Sequence, residues 1–434
     1  MLYYSTNKKA PVATLREAVT KGLAPDGGLY MPERIPMLDD DFLGRLPDMG
    51  LHEISMKIAA KFLEGDIPLD ELHSMICETL NFPVPLKLID NSFYALELFH
   101  GPTMAFKDVG ARFMARLLGY YTNRSQQELN ILVATSGDTG SAVANGFYKV
   151  PGIHVFVLYP KGLVSTIQEK QFTTLGENIT ALEVEGTFDD CQAMVKRAFA
   201  DEELKNKKNI SSANSINWAR LLPQTFYYFW GYAQLGKGAG ELVCAVPSGN
   251  FGNLCAGLIA KRMGLPIYRI IAATNRNDIV PQYLKSGVFN PRPSVATIAN
   301  AMDVGNPSNF ARIAELYDNS HVKISNDIEG FVCSENDIRS AIKSVHLAHD
   351  YLLDPHGAIA YSAMKSHAIE NPDICKKNFF IATAHPAKFG ETIESIIQRQ
   401  IELPSNLARF ATGIKQTTEI PATYEALKEF LSNS

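Results

Sequence analysis

From about residue 90 onward, short apolar runs alternate with helical patterns, and no other feature narrows the fold as far. Residues 131–135 are an apolar run of strand length; SGDTG and then the helical SAVANGF follow. Residues 153–159, 179–184, 242–246, 267–273 and 379–382 repeat the strand signal. Residues 191–199, 219–235, 254–264 and 392–399 carry helical spacing, the second with the aromatics Phe226, Tyr227, Phe229 and Trp230. This alternation predicts an α/β fold, with parallel sheets covered by helices on both faces. Ligands then collect at the carboxyl ends of the strands. Residues 290–309, rich in Pro, Ser and Asn, read as a long loop able to act as a lid.

Residues 1–90 read as a separate lead-in. A helix is predicted over 14–21, a turn at Asp26-Gly27-Gly28, and extended chain at Tyr30-Met31-Pro32. Ile54, Ile58, Ala59 and Phe62 share one helical face, and Pro83 and Pro85 close the region.

The chain's 434 residues suffice for two or three domains, and its net charge of −5 argues against nucleic acid as a main partner. An anionic ligand must then be met by a local site. The 6 cysteines are scattered without a Cys-x-x-Cys pair, so neither zinc nor a disulfide framework is expected. Cys77, Cys244 and Cys255 have apolar neighbours and read as core residues. No secretory leader pattern and no bilayer-length apolar run is present, which predicts a cytoplasmic protein without membrane contact. Asn-x-Ser/Thr matches at Asn123, Asn178 and Asn209 then carry no meaning.

The chemistry centres on residues 99–112, FHGPTMAFKDVGAR. A Gly101-Pro102 break ends an apolar run, and Val109, Phe113, Met114, Leu117 and Leu118 begin a helix just past Lys107. A lysine in an apolar, water-poor setting loses its charge readily and can attack a carbonyl to form a Schiff base. A lone lysine at a helix end more often is simply solvated. Residues 248–253, SGNFGN, lie between a strand and a helix, where glycines and free N–H groups can hold a phosphate; an ordinary strand-to-helix turn reads equally well. Residues 136–140, SGDTG, have the same context and suit a carboxylate or a helix cap. Residues 231–238, GYAQLGKG, fail as a P-loop because they follow a helix and lack the final Ser/Thr. His346 and His349 have helical spacing but no further ligand nearby in sequence. Asp354-Pro355 reads as an N-cap with proline at the first helical position, and His356 as packing.

Taken in order, GLAPDGGLYMPERIP, HGPTMAFKD, ATSGDTGSAVA, NSINWAR, PSGNFGN and TAHPAKF resemble the threonine synthases, a family of fold type II pyridoxal-phosphate enzymes. The likeness runs from about residue 13 to about residue 400. It implies pyridoxal 5'-phosphate on Lys107, with Phe106, Gly249, Asn250, Phe251, Gly252 and Asn253 holding the cofactor and Thr383 meeting its ring nitrogen. It implies substrate contacts from Ser136, Gly137, Asp138 and Thr139. Asn214, Ser215 and Arg220 fall to the substrate phosphate. From the residues themselves, Asn217 reads as a brace of the turn, and Lys388 as a cation for an anion or equally a surface lysine. Many fold type II relatives have asparagine where Asp138 stands. The implied reaction turns O-phospho-L-homoserine and water into L-threonine and phosphate. A threonine or serine dehydratase and a non-catalytic cofactor-binding homologue are the alternatives. The implied division is an N-terminal domain over 1–90, a lysine and substrate subdomain over 91–240, and a phosphate-binding domain with C-terminal helices over 241–434, in a monomer or homodimer.

Overall fold

The computed structural model describes residues 1–90, 93–125, 128–372 and 377–433. The chain forms two compact units that interleave in sequence. One comprises Met1, Met31–Gly101 and Leu221–Glu402; the other comprises Leu2–Tyr30, Pro102–Arg220 and Leu403–Ser434.

The first unit is built on a sheet with strand order Ile328–Val332, Ile267–Thr274, Leu242–Pro247, Asn378–Ala382, Phe93–Glu97, Leu86–Asp90. Every neighbouring pair is parallel except the last, which is antiparallel. Leu242–Pro247 is buried along its whole length, as a central strand covered on both faces must be. On one face Ala245, Ile271 and Phe380 share a core with Ile342 of helix Glu335–His349 and with Ile359 and Met364 of helix Pro355–Glu370. On the other, a Cβ on Gly231 of helix Gln224–Gln234 would stand 3.1 Å from Phe379, and one on Gly257 of helix Gly252–Arg262 would stand 3.0 Å from Ile270. Such close approaches explain glycine at both positions.

The second unit carries a wholly parallel sheet, ordered Thr418–Pro421, Ile179–Glu185, Ile153–Pro160, Leu129–Ala134, Ile210–Ser212. Helices Lys107–Ser125 and Asp138–Phe147 pack so tightly that a Cβ on Gly146 would lie 3.0 Å from the carbonyl carbon of Ala111. Leu132, Leu158 and Leu182 form a core with Met194 and Val195 of helix Phe188–Ala200, and with Leu427 and Leu431 of helix Tyr424–Asn433. The N-terminal helix Leu15–Lys21 starts at Thr14, whose side chain forms a capping box with Glu17.

The helix predicted over 219–235 is two helices, Trp218–Leu221 and Gln224–Gln234. Pro223 separates them, because proline has no N–H to donate and its ring collides with the preceding turn. The loop at 290–309 has only the short turn Asn300–Met302. Its middle is pinned: the Asp303 carboxylate accepts from Thr297 N and Oγ1 at 2.9 and 2.8 Å, and from the amides of Asn275 and Asn277 at 2.8 and 3.0 Å. Burial pushes the Asp303 carboxyl up to about 6. Cys244 and Cys255 are core residues, but Cys77 is only half-buried, and Cys375 lies outside the described residues. Among the described residues, no helix is long and apolar enough to cross a membrane.

Candidate active site

In the first unit, residues 248–253 leave the carboxyl end of Leu242–Pro247 and run into helix Gly252–Arg262. Gly249 is required by space, since a Cβ there would meet the Cα of Met302 at 2.7 Å and the carbonyl oxygen of Ala301 at 3.1 Å. Phe251 takes the left-handed conformation with φ 59°, which turns the chain into the helix. The N–H groups of Gly252 and Asn253, in the first turn, have no carbonyl partner inside the helix. A tight glycine loop ending in such donors fits a dianionic phosphate. The side chains of this loop are internal braces. Ser248 Oγ donates to Asn253 Oδ1 at 2.8 Å, and Asn253 Nδ2 donates to the Pro247 carbonyl at 2.9 Å. Asn250 Oδ1 accepts from Ser308 N at 2.6 Å, and its carbonyl accepts from Asn309 Nδ2 at 3.1 Å. Arg312 donates in turn to Asn309 Oδ1 at 2.7 Å. Burial lowers Arg312 to about 10, so it is still a cation at neutral pH.

Thr383 follows strand Asn378–Ala382, which pairs with Leu242–Pro247 through Cys244–Phe379 and Ala245–Phe380. Thr383 and the 248–253 loop therefore sit at the carboxyl ends of adjacent parallel strands. Thr383 and Lys388 are both buried, the latter in the turn Pro386–Phe389. Burial pushes His385 down to about 4, and its Nδ1 accepts from Ala387 N at 3.1 Å, which the neutral ring alone can do. The His356 imidazole pairs with Asp354 at 2.6 Å, while Asp354 also caps helix Pro355–Glu370.

In the second unit, Lys107 is the first residue of helix Lys107–Ser125 and is half-buried, with its Nζ 5.8 Å from the Phe106 ring centroid. The positive end of a helix disfavours a further positive charge there. Met104 has φ 56°, a conformation rare for a side chain of this kind. Residues 136–139 follow strand Leu129–Ala134, which lies between Ile153–Pro160 and the edge strand Ile210–Ser212. Gly137 has φ 138°, and Thr135 Oγ1 accepts from Gly137 N and Gly140 N at 2.9 and 2.8 Å. Asp138 opens helix Asp138–Phe147, and its buried Oδ1 accepts from Gln168 Nε2 at 2.8 Å; Ser136 and Thr139 are half-buried.

Asn214 follows the neighbouring strand Ile210–Ser212 and donates to the Ala134 carbonyl at 3.3 Å, which brings residues 214–215 beside residues 136–139. Asn217 is the brace the sequence suggested: its amide donates to Val19 and Ser212 carbonyls at 2.8 and 3.2 Å and accepts from Ala219 N at 3.0 Å. Arg220 lies in the short helix before Pro223, not in a long aromatic one, and its guanidinium donates to the Ala213 carbonyl. It is buried against Gly110, where a Cβ would meet its Nε at 3.0 Å; burial lowers it to about 10 and the charge of Asp108 opposes that shift.

Sequence reasoning missed Gln168, Gln171, Asn309 and Arg312. Their only signal is a polar pair at i and i+3 beside apolar residues, which a solvated helix face produces as readily.

The description "Pyridoxal-phosphate dependent enzyme" matches residues 79–377, flanked by "Threonine synthase N terminus" over 2–80 and "Threonine synthase, C-terminal" over 357–431. Threonine synthase of Haemophilus influenzae is 43% identical over 435 residues, covering 100% of both chains. The crystal structure of threonine synthase from Escherichia coli superposes with a TM-score of 0.93 at 40% identity and covers 100% of both chains. A pyridoxal-phosphate-bound threonine synthase from Brucella melitensis gives 0.92 at 34% identity, covering 100% of this chain and 99% of the other. With a fold, a phosphate-fitting loop and relatives that agree along its whole length, the chain belongs to the threonine synthase family of pyridoxal-phosphate-dependent enzymes.

Proposed function

We propose that the chain converts O-phospho-L-homoserine and water into L-threonine and phosphate, acting as a carbon–oxygen lyase with pyridoxal 5'-phosphate. The observation that carries this reading is the loop at 248–253, whose glycine cradle and helix start suit a bound phosphate. The cofactor, when bound, supplies an electron sink for charge developing on substrate carbon. Gly249, Asn250, Phe251, Gly252 and Asn253 would hold its phosphate through backbone N–H groups, since the Asn250 and Asn253 side chains brace the loop. Phe106 belongs to its pocket. The Thr383 hydroxyl would be the partner of the ring nitrogen, and a hydroxyl does not force a proton onto that ring as a carboxylate would.

Lys107 would hold the cofactor, and its amine would move protons at the substrate carbons. Its place on a helix start favours the neutral amine that this work needs. The hydroxyls and backbone N–H groups of the stretch Ser136, Gly137, Asp138 and Thr139 receive the substrate carboxylate. Asn214, Ser215 and Arg220 receive the substrate phosphate. A guanidinium has five donors, so Arg220 can serve the Ala213 carbonyl and a phosphate oxygen together. Lys388 adds a further cation. Residues 1–90, 91–240 and 241–434 divide the work into capping, lysine and substrate handling, and phosphate binding. A cytoplasmic monomer or homodimer that binds neither nucleic acid nor membrane fits the slight negative charge.

Incubating the purified chain with pyridoxal phosphate and O-phospho-L-homoserine tests the reading. Phosphate and L-threonine appear in equal amounts. A chain that leaves phosphohomoserine intact and deaminates threonine to 2-oxobutanoate is a dehydratase, and the proposal fails.

A further inference from the structure

The short helix Thr166–Thr173 holds two glutamines one turn apart, Gln168 and Gln171, with exposures of 1% and 0%. An amide buried in the interior is costly unless its donors are met. The Nε2 donors of this pair both reach the loops that carry the chemistry of the second unit, while Gln171 Oε1 is buried without a hydrogen-bond partner among the described residues. Gln168 Nε2 donates to Asp138 Oδ1 at 2.8 Å, and its Oε1 accepts from Ser165 Oγ at 2.8 Å. Its side chain lies directly on Gly137, where a Cβ would stand 2.7 Å from Oε1. Gln171 Nε2 donates to the carbonyl of Thr103 at 3.1 Å, in the loop before Lys107. The helix backbone is tied to the same region. Ser141 Oγ donates to the Gln168 carbonyl at 3.1 Å, and Asn145 Nδ2 donates to the carbonyls of Gln171 and Ser141, both at 2.9 Å.

Filling space would have required only an apolar side chain of similar volume. A donor to Asp138 does something more, since it fixes one oxygen of that side chain in direction. A second neutral donor, at fixed helical spacing, fixes the loop before Lys107. We infer that Gln168 and Gln171 are positioning residues: Gln168 orients Asp138 for substrate, and Gln171 holds the loop that aims Lys107. This rests on the roles proposed above for Lys107 and residues 136–139. One rigid turn of helix thereby sets the register between the group that moves protons and the loop that receives the substrate.

Gln168→Glu separates positioning from packing, because it keeps the shape and makes the donor depend on pH. Protonated, the introduced carboxyl group donates to Asp138 as the amide does; ionised, it sets a second carboxylate against it. Steady-state kinetics of the holoenzyme are measured from about pH 6 to about pH 9, the range over which a paired carboxylic acid loses its proton. The KM for O-phospho-L-homoserine rises roughly tenfold or more at the alkaline end and returns toward the wild-type value at the acid end, while kcat moves less. In Gln171→Leu, which removes the donor to Thr103, kcat falls roughly tenfold at unchanged KM, and the visible band of the bound cofactor titrates at a different pH. If Gln168→Glu does not fold, Ser165→Ala releases the same amide from its outer side and raises KM in its place. A KM equal to wild type at every pH, or variants that lose only thermal stability, overturns the inference. Borohydride reduction of the wild-type holoenzyme keeps the two readings apart. An adduct off Lys107 refutes the underlying site, whereas an adduct on Lys107 with unmoved kinetics refutes only the role of the glutamines.

Discussion

Asp108 holds Thr103 with both oxygens of its carboxylate: Oδ2 accepts from the Thr103 backbone N–H at 2.8 Å and Oδ1 from its hydroxyl at 2.6 Å. Lys107 stands between these partners, and the clamp spans Met104 with its φ of 56°. A backbone held in that region persists only when its surroundings over-determine it. Asp108→Asn keeps the shape but turns an amide N–H toward one of the two Thr103 donors. The expected cost is on the order of 1–3 kcal/mol at the loop, read as a fall in kcat of roughly tenfold or more. The cofactor still binds, which equilibrium dialysis checks. Wild-type kcat in this variant would show that the clamp does not aim the lysine.

Gly249→Ala places a methyl group 2.7 Å from the Cα of Met302, where backbone must move. The phosphate loop shifts with it, and the cofactor dissociation constant rises roughly tenfold or more. Gly390→Ala, at a glycine with nothing within 4 Å of the added carbon, is the matched control and binds as wild type. Equal affinities in the two variants would remove the loop from the cofactor site.

How much of this was legible in the sequence depends on distance along the chain. The apolar run at 131–135 marks strand Leu129–Ala134, and the glycine loops after the strands mark their carboxyl ends. These are local signals, set by burial and by backbone need. The tail strand Thr418–Pro421 has a single buried residue, so no apolar run announces it, and it is ordered by pairing with Ile179–Glu185 far upstream. The bond between Gln168 and Asp138 joins residues 30 apart, and Arg312 is linked to the 248–253 loop through Asn309. A side chain whose purpose is to hold another loop looks, in one dimension, like any polar residue on a helix. The helix that carries Arg220 is shorter than the sequence predicts: Pro223 follows its end at Leu221, and the Arg220 guanidinium donates to the Ala213 carbonyl.

His385 gives a pH test that needs no substrate. Its folded-state value is pushed down to about 4, first by burial and then by the nearby charge of His100; Lys388 adds to this, while Glu97 and Asp354 oppose it. A depressed histidine contributes stability above its unfolded value, near 6.5, and that contribution is lost as pH falls toward about 4. The apoprotein should therefore lose on the order of 2 kcal/mol between about pH 7 and pH 4.5 from this group. His385→Gln flattens that part of the profile in chemical denaturation. An unchanged slope would place the titration elsewhere.

Arg220→Ala tests the choice of substrate. Its guanidinium donates to the Ala213 carbonyl and stands beside Gly110 in the first turn after Lys107. Removing it weakens use of phosphohomoserine by about 2 kcal/mol or more in kcat/KM, the scale of a charged hydrogen bond. Cofactor binding survives, and so does any slow reaction with serine or threonine. If phosphorylated and plain amino acids lose equally, the substrate phosphate is held elsewhere, and Lys388 becomes the next candidate.

The most direct measurement locates the cofactor. The holoenzyme is reduced with borohydride and digested, and the pyridoxyl-bearing peptide is sequenced by mass spectrometry. The adduct is expected on Lys107, within HGPTMAFKD, and Lys107→Ala yields no adduct and almost no phosphate release from O-phospho-L-homoserine. An adduct on Lys388 or any other lysine, or an adduct that persists in Lys107→Ala, would contradict it.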